Sequence, residues 1–484
     1  MSSISNEKTK KELGLTRLIG MIIGSTIGAG VFSLAGDMAA NGANTGGVLV
    51  GWLICGLGMF GLVMCFFGLN KAKPELTNGI YSYAKEGFGD YIGFSSAWGY
   101  WLSCIFANLS YTTLLFGSIG YFFPVFGEGN NLISIVCVSG VIWFMNFLVL
   151  RGIKSATGIN VVTTISKLLP LFVFILAIIF IRAFNPSIFM NNFWGEPGGI
   201  SFADQVKATT SATVWSFVGI EGAVVLSGRA KKSGDVGKSS VIGFVCILII
   251  YVMTSVLSMG VMPRAELAAL GNPPMAGILE TVVGPWGAGF INVGVILSII
   301  GALLGWTIIA ADCPYSAAQQ GVFTKAFAKQ NKNGAPSFAL FMTNGIIQLF
   351  LIVIYFNSST YQAFYAISAS MIMIPYLLSA LYYAKVTMSA EGMQLIGSKS
   401  LLKERIFALI GTVYGIWLLY ASGLVYLLIT AILYAPGIIV YIIGKKEKNE
   451  KYLSNKKDIT VAAIFVILAV ISVVMIANGT IQPF

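Results

Sequence analysis

The chain has 484 residues, of which 56% are hydrophobic and only 10% are charged, and its formal net charge is +11. A soluble domain carries about 25% charged residues, so this composition could not cover a water-exposed surface. The same values exclude a disordered chain. The sequence contains no histidine, which excludes a catalytic triad, a metal cluster or a proton relay built on that residue. We therefore predict an all-α polytopic membrane protein.

Apolar stretches of about 20 residues, the length that crosses a bilayer, recur along the whole sequence. They predict thirteen spans, at residues 17–41, 46–69, 94–122, 132–150, 159–182, 209–228, 240–262, 286–312, 337–356, 361–385, 406–422, 424–444 and 459–477. The eleventh and twelfth spans nearly touch at Ser422 and Gly423, which predicts a tight helical hairpin.

The basic residues lie almost entirely on one side of these spans. If the N-terminus is cytoplasmic, 26 of the 30 Lys and Arg residues fall on the inner side. Only Arg182, Lys207 and Arg264 fall outside, and Lys167 lies within the fifth span. This is the distribution that the positive-inside rule describes. It explains the positive charge without a nucleic-acid partner. It also predicts a multi-pass membrane protein with an extracytoplasmic C-terminus, and we expect the bacterial cell membrane as its location.

No residue pattern indicates an enzyme or a cofactor. The six cysteines are scattered through apolar runs and include no CxxC pair, so neither a metal site nor a disulfide framework is indicated. We predict no cofactor and no bound metal. A channel or a receptor would not explain the pair of glycine-broken spans described next.

Two spans are interrupted by glycines at matching places. The first contains GSTIGAGVF (24–32) and the sixth contains WSFVGIEG (215–222). The sixth span comes five spans after the first, so the two cross the membrane in opposite directions. Such a pair marks the binding site of transporters built from an inverted repeat, here five spans plus five. Exposed amides at the second half-helix suit a carboxylate, and freed carbonyls suit an ammonium group. An α-amino acid carries both groups. The alternative is that these glycines only permit close helix packing.

The repeat predicts how the chain is divided. The segments are a cytoplasmic N-terminal segment (1–16), a first five-helix repeat (17–182), an outer loop (183–208), a second inverted repeat (209–385) and three C-terminal helices (386–484).

A few polar residues lie at membrane depth. Glu221 stands in an otherwise uncharged span, where an ionisable group marks a pathway or a gate by default. Lys167 is too far from either end of its span to snorkel, so we expect it to pair with unwound carbonyls or with an acid. Asp37 lies near the outer mouth, where a surface position is expected. Asn108 and Ser368 are either ligands for a distal cation or helix–helix contacts.

Longer motifs resemble a known family. The stretches GFGDYIGFSSAWGYW (87–101), GYFFPVFGEGN (120–130) and FLVLRGIK (147–154) are similar to those of arginine/ornithine antiporters. WSFVGIEGA and GWTIIAA resemble stretches of arginine/agmatine antiporters. Over essentially its whole length, the chain resembles the basic amino acid/polyamine antiporters of the amino acid–polyamine–organocation superfamily. The resemblance implies a fold like that of the bacterial leucine transporter.

The resemblance also implies roles for individual residues. Substrate-binding residues would be Ala29 and Gly30 for the α-carboxylate, the carbonyls of Thr26, Trp215 and Val218 for the α-amino group, and Trp215, Trp306, Cys104, Asn108 and Ser368 along the side chain. Tyr100 and Tyr376 would join Glu221 in an outer gate layer. Lys167 would stand where relatives hold a coupling sodium ion.

Two departures leave the side-chain preference open. The arginine/agmatine pattern has Ser in place of Ala29 and Met in place of Tyr111. The first interpretation is exchange of arginine for ornithine, which would be electroneutral because both carry one net positive charge. The alternatives are histidine/histamine, lysine/cadaverine or ornithine/putrescine exchange, and proton-coupled uptake of an amino acid. Both a monomer and a homodimer are compatible with the sequence.

Overall fold

A computed structural model describes residues 14–76, 80–152, 157–221, 233–357, 361–397 and 400–481, and every regular element within them is helical. The first ten helices are α1 Leu15–Thr26, α2 Leu34–Ala40, α3 Thr45–Ala72, α4 Ile80–Phe88, α5 Asp90–Gly120, α6 Leu132–Leu150, α7 Thr157–Ile181, α8 Pro186–Met190, α9 Phe202–Ala208 and α10 Thr210–Phe217. The remaining ten are α11 Ser233–Val261, α12 Arg264–Ala269, α13 Pro274–Val283, α14 Pro285–Gln319, α15 Ser337–Asn357, α16 Tyr361–Met388, α17 Gly392–Ile396, α18 Leu402–Ala421, α19 Gly423–Lys446 and α20 Lys456–Ala477. Most of the predicted cytoplasmic segment (1–13) and the end of the sixth span (222–228) lie outside the described residues.

Eleven of the described helices are long and apolar enough to cross a membrane. Each agrees with one predicted span to within a few residues. The two predicted spans without such a helix are the first and the sixth. The first is divided into shorter elements, and in the described part of the sixth the helix α10 ends at Phe217. The count of thirteen spans therefore stays a prediction, whereas the positions of eleven are confirmed.

The predicted hairpin between the eleventh and twelfth spans is confirmed. Helix α18 ends at Ala421 and α19 begins at Gly423, with only Ser422 between them. Gly423 has a φ of 82°, a conformation that glycine adopts without steric cost.

Helices α5 and α16 form the centre of the bundle. Ser103 on α5 and Ser368 on α16 each donate a hydroxyl hydrogen bond to the other's backbone carbonyl, at 2.9 and 2.7 Å. The most apolar window of α5 is 94% buried, against 17% for α20 at the periphery. The outer faces of the peripheral helices are apolar, as contact with lipid tails requires, because no water is present there to solvate polar groups.

Ion pairs lie at the two ends of the bundle. At the end where α5 begins, Asp90 pairs with Lys85 at 3.5 Å and with Lys445. At the opposite end, Arg264 donates two hydrogen bonds to Glu196, at 3.1 and 2.8 Å. The hydrogen-bonded guanidinium holds the pKa of the Glu196 carboxyl below its ordinary value. These two groups identify the two faces of the bundle. The face with Asp90 is called the N-terminal face below, and the face with Arg264 is called the loop face.

Candidate functional site

The first interruption follows Thr26, the last residue of α1. Ile27 has a ψ of 100° and Gly28 is extended, after which a short 3-10 turn (Ala29–Phe32) leads into α2. In a continuous helix the amides of Ala29 and Gly30 would donate to carbonyls four residues earlier. Here neither amide donates to a backbone carbonyl, so both are free to bind an anionic group.

The second interruption follows Phe217, the last residue of α10. Val218 has a ψ of 125°, and Gly219 has a φ of 106°, a value that favours glycine strongly. The Gly219 amide donates to Glu221 Oε2 at 3.0 Å, so the acid of this segment caps its own interruption.

A tyrosine on α11 joins the two interruptions. The Tyr251 hydroxyl lies 2.8 Å from Ser216 O and 3.3 Å from Thr26 O, and its single proton is shared between them. In continuous helices these carbonyls would accept the amides of Ile220 and Gly30. The contact places both interruptions at the same depth. Sequence reasoning missed Tyr251, although it is the only tyrosine of the predicted seventh span.

Lys167 lies beside the first interruption. Its ammonium group donates to Gly24 O at 3.1 Å, and the residue is only 7% exposed. In a continuous helix Gly24 O would accept the Gly28 amide, which lies beyond the end of α1. The lysine therefore supplies the donor that the interruption removes. Its role in coupling stays a prediction.

Four aromatic residues form a cage over the first interruption. Trp215 lies 5.5 Å from Tyr111 and 6.0 Å from Tyr365 between ring centroids, and its indole donates to the Tyr361 hydroxyl at 3.2 Å. The indole packs against Gly30, where a Cβ would lie 2.7 Å from it. Tyr111, Trp215, Tyr361 and Tyr365 are called the aromatic cage below. Tyr361 and Tyr365 were missed, although their spacing of four residues places them on one helix face.

The centre of the first interruption packs closely against the aromatic cage. A Cβ on Gly28 would lie 2.5 Å from the Tyr111 hydroxyl, so a larger residue there would displace that ring. Trp306 lies beside the same hydroxyl and is 7% exposed. Trp306 therefore borders the aromatic cage from α14.

The predicted distal ligands take part in bonds within the bundle. Asn108 donates to Cys104 O at 2.9 Å, on its own helix, and Ser368 belongs to the reciprocal contact with Ser103 described above. To bind a substrate cation, these groups would exchange bonds that they make here, so that role stays a prediction. Of the carbonyls predicted to bind an ammonium group, Thr26 O accepts Tyr251 and Trp215 O accepts the Val218 amide at 3.2 Å.

Glu221 collects three donors in a buried layer. Tyr100 donates to Oε1 at 3.1 Å, Tyr376 donates to Oε2 at 2.7 Å, and the Gly219 amide also donates to Oε2. The layer joins α5, α16 and the second interruption, and Glu221 is 5% exposed.

The predicted outer position of this layer is wrong. Tyr100 lies ten residues after Asp90, where α5 begins, and Tyr111 of the aromatic cage lies three turns further on. The layer is therefore between the cage and the N-terminal face, which the basic residues predict to be cytoplasmic. Glu221 also follows the interruption as the chain runs towards that face. Motif similarity identified the three residues but carried no information about side.

No metal centre is found in the part of the chain that the structure describes, since no three acidic or cysteine side chains there could hold an ion. Two interrupted helices, facing each other at one depth within an all-helical bundle, define a membrane transporter fold. The chain belongs to the amino acid permease family, whose model matches residues 13–433.

Relatives agree with this assignment. The chain is 44% identical to an arginine/ornithine antiporter of Pseudomonas aeruginosa, over 95% of this chain and 96% of the relative. It is 40% identical to an arginine/agmatine antiporter of Chlamydia abortus, over 99% of this chain and 100% of the relative. The solved structure of MhsT in complex with L-phenylalanine aligns with a TM-score of 0.61, over 86% of this chain and 100% of that one, at 12% identity. This last likeness shows the fold alone.

We expect Tyr251→Phe to slow transport at least tenfold, because it removes the proton that fixes the two interruptions against each other. The free energy of unfolding should fall by about 1 kcal/mol, as for one buried hydrogen bond. Tyr434→Phe is the matched control, because its hydroxyl bonds a single carbonyl, Met371 O at 3.3 Å. Initial rates in proteoliposomes and thermal midpoints in detergent measure both effects. A wild-type rate in Tyr251→Phe would contradict this role.

Proposed function

We propose that this protein exchanges a cationic amino acid for its metabolic product by alternating access, with arginine and ornithine as the pair. The observation that carries the proposal is the pair of interruptions at one depth, which brings free amides, uncommitted carbonyl lone pairs and an acidic residue beneath an aromatic cage. The names of the relatives at 44% and 40% identity support the choice of cationic amino acids.

The backbone would hold the part common to all α-amino acids. The substrate carboxylate would accept hydrogen bonds from the free amides of Ala29 and Gly30. The only side chain at these two residues is the methyl group of Ala29, so the amides are accessible. The α-amino group would donate to the carbonyls of Thr26, Trp215 and Val218, taking the place of donors that now use them. These contacts select the α-amino acid class and not the side chain.

The aromatic surfaces would recognise the side-chain cation. A guanidinium or ammonium over an indole or a phenol gains about 0.5–2 kcal/mol when it is desolvated. Trp215 and Trp306 offer such faces, with Tyr111 between them. Cys104, Asn108 and Ser368 would line the far end of the side chain.

Two closures would alternate during the cycle. The Glu221 layer would close the path towards the N-terminal face, and the aromatic cage would close it towards the loop face. The charge distribution supports a cytoplasmic N-terminal face, and the bacterial relatives support the bacterial cell membrane as the location. The exchange could be performed by a monomer or by each protomer of a homodimer.

Exchange of an amino acid for an amine is the second candidate, supported by the arginine/agmatine antiporter at 40% identity. An amine product lacks the carboxylate, so each cycle would move one net charge. Arginine/ornithine exchange moves none. The response of the rate to an imposed membrane potential therefore separates the two candidates.

Counterflow tests the proposed exchange. Radiolabelled arginine should enter proteoliposomes loaded with ornithine or arginine at least tenfold faster than proteoliposomes loaded with buffer, because the empty carrier would not return across the membrane. The ornithine-driven rate should not change with a potassium diffusion potential. Equal uptake into buffer-loaded vesicles would exclude obligatory exchange, and a strong dependence on potential would favour the amine product.

Trp306→Leu should weaken arginine binding by about the 0.5–2 kcal/mol of a cation–π contact, because leucine keeps an apolar side chain but has no π face. Trp143→Leu is the matched control. The Trp143 indole lies on α6 and donates to Gln348. Trp143 is partly exposed and belongs to neither interrupted segment. Titration calorimetry with the detergent-solubilised proteins measures both affinities. An unchanged dissociation constant in a folded Trp306→Leu protein would limit this residue to packing.

Lys167→Ala should slow exchange more than it weakens arginine binding, because it leaves Gly24 O without a donor beside the segment that must move. Wild-type transport should be the same in sodium and in choline buffers, since the ammonium occupies the place of a coupling cation. Lys85→Ala, at the N-terminal face, controls for the loss of a lysine. Exchange at the wild-type rate, or a sodium requirement of the wild type, would refute this role of Lys167.

A further inference from the structure

Asp37 is buried, which corrects the expected surface position. It lies in the first turn of α2 and is only 2% exposed. A carboxyl group within the bundle loses its hydration, and this cost is tolerated where the group serves a pathway or has a charged partner.

The contacts of Asp37 are with neutral groups. The Gln362 amide donates to Oδ1 at 3.1 Å, and the same amide reaches Asn272 Oδ1 at 3.4 Å. The Tyr365 hydroxyl faces the same carboxyl. Within the described ranges, none of the ion pairs involves Asp37.

A basic residue does reach the same helix, but its charge is already paired. Arg264 donates to Ala39 O at 3.3 Å, and its other hydrogen bonds are to the Glu196 carboxylate. Within the described residues, Asp37 is therefore without a cationic partner.

The position of Asp37 places it on the path to the aromatic cage. It lies seven residues after Gly30, beyond the 3-10 turn and within α2, and both residues face α16. At the lower end of this face, a Cβ on Gly30 would lie 3.7 Å from the Tyr361 hydroxyl. At the upper end, Asp37 contacts the next residues of α16, Gln362 and Tyr365. The face is thus a polar seam between α2 and α16.

The loop between α11 and α14 covers this seam. A Cβ on Gly36 would lie 3.4 Å from Leu267 O of α12, and Asn272 comes from the link between α12 and α13. Asp37 therefore lies between the aromatic cage and the loop face, beneath a cover that must move before a substrate can enter from that face.

The geometry points to Asp37 as an outer binding station for the organic cation of the substrate, a guanidinium or a primary ammonium group. When α2 and α16 separate, Gln362 leaves the carboxylate, which then pairs with the side-chain cation of the arriving amino acid. When they close, Gln362 takes the carboxylate back and the cation moves on to the cage. This inference rests on the proposed exchange of cationic amino acids.

Sided transport assays of Asp37→Asn test the station. Asparagine keeps the shape and can still accept from Gln362, but it has no charge. In right-side-out membrane vesicles, the KM for external arginine should rise about tenfold, the effect of about 1.4 kcal/mol in binding. In inside-out vesicles, the KM for arginine should stay within twofold. Citrulline is the uncharged isostere of arginine and should compete for the external site less well than arginine in the wild type. In Asp37→Asn, this difference between citrulline and arginine should shrink by a similar factor.

Two further variants separate charge from structure. Asp37→Glu should keep the external KM within about threefold, because the charge remains on the seam. Asp204→Asn is the control at the loop face, where the exposed Asp204 pairs with the half-buried Lys207 at 3.0 Å and lies off the seam. It should leave both KM values unchanged.

The outcomes separate this inference from the proposed function. If the wild type shows no ornithine-driven arginine uptake, the proposed function fails before the variants are compared. If the wild type exchanges and Asp37→Asn leaves the external KM unchanged, the station is refuted and the function stands. Equal changes of KM on both sides, with a lowered thermal midpoint, would also refute it and give Asp37 a structural role only.

Discussion

The structure depends on one constraint, which is that a backbone polar group inside a membrane must find a partner within the protein. Interrupting α1 at Thr26 and α10 at Phe217 removes several helical hydrogen bonds at once. Three side chains replace part of what is lost. Lys167 and Tyr251 come from other helices and serve Gly24 O and both interruptions, and Glu221, from the second interruption itself, serves the Gly219 amide. The remaining free amides are those that the proposed substrate carboxylate would use.

Side-chain partners have a consequence that backbone partners would not have. A hydrogen bond contributes about 1 kcal/mol net from a tyrosine and about 1.5–3 kcal/mol from a charged lysine, so either can be exchanged for a bond to a ligand without unfolding a helix. Membrane double-mutant cycles give similarly small values, about 0.6 kcal/mol on average. The interruptions are thus held firmly enough to keep their shape and loosely enough to change partners. A continuous helix, with every amide bonded four residues back, could not do this.

The sequence predicted what depends on local pattern and missed what depends on contacts between distant segments. Hydropathy located eleven helices because each apolar stretch satisfies its own backbone. Glycine clusters located both interruptions because Gly28 packs against the Tyr111 hydroxyl and Gly219 has a φ that favours glycine. Tyr251 was missed because its partners lie 35 and 225 residues away. The burial of Asp37 was missed for the same reason, since Gln362 is 325 residues distant. The side of the aromatic cage on which the Glu221 layer lies follows from the positions of Tyr100 and Tyr111 along α5. Motif similarity carries no such positional information.

The charged residues of the described bundle fall in an order that suits a cation moving along one path. Asp37 lies towards the loop face, Glu221 towards the N-terminal face, and the aromatic cage separates them. Each carboxylate is held by neutral donors, Gln362 in one case and two tyrosines and an amide in the other. Within the described residues neither acid forms an ion pair, so each could pair with a cation when its closure opens. Lys167 adds a positive charge beside the first interruption, near the free amides. A zwitterion with an additional cationic side chain matches this pattern at every point: its carboxylate would face amides and a lysine, and its cations would face carbonyls, π surfaces and acids.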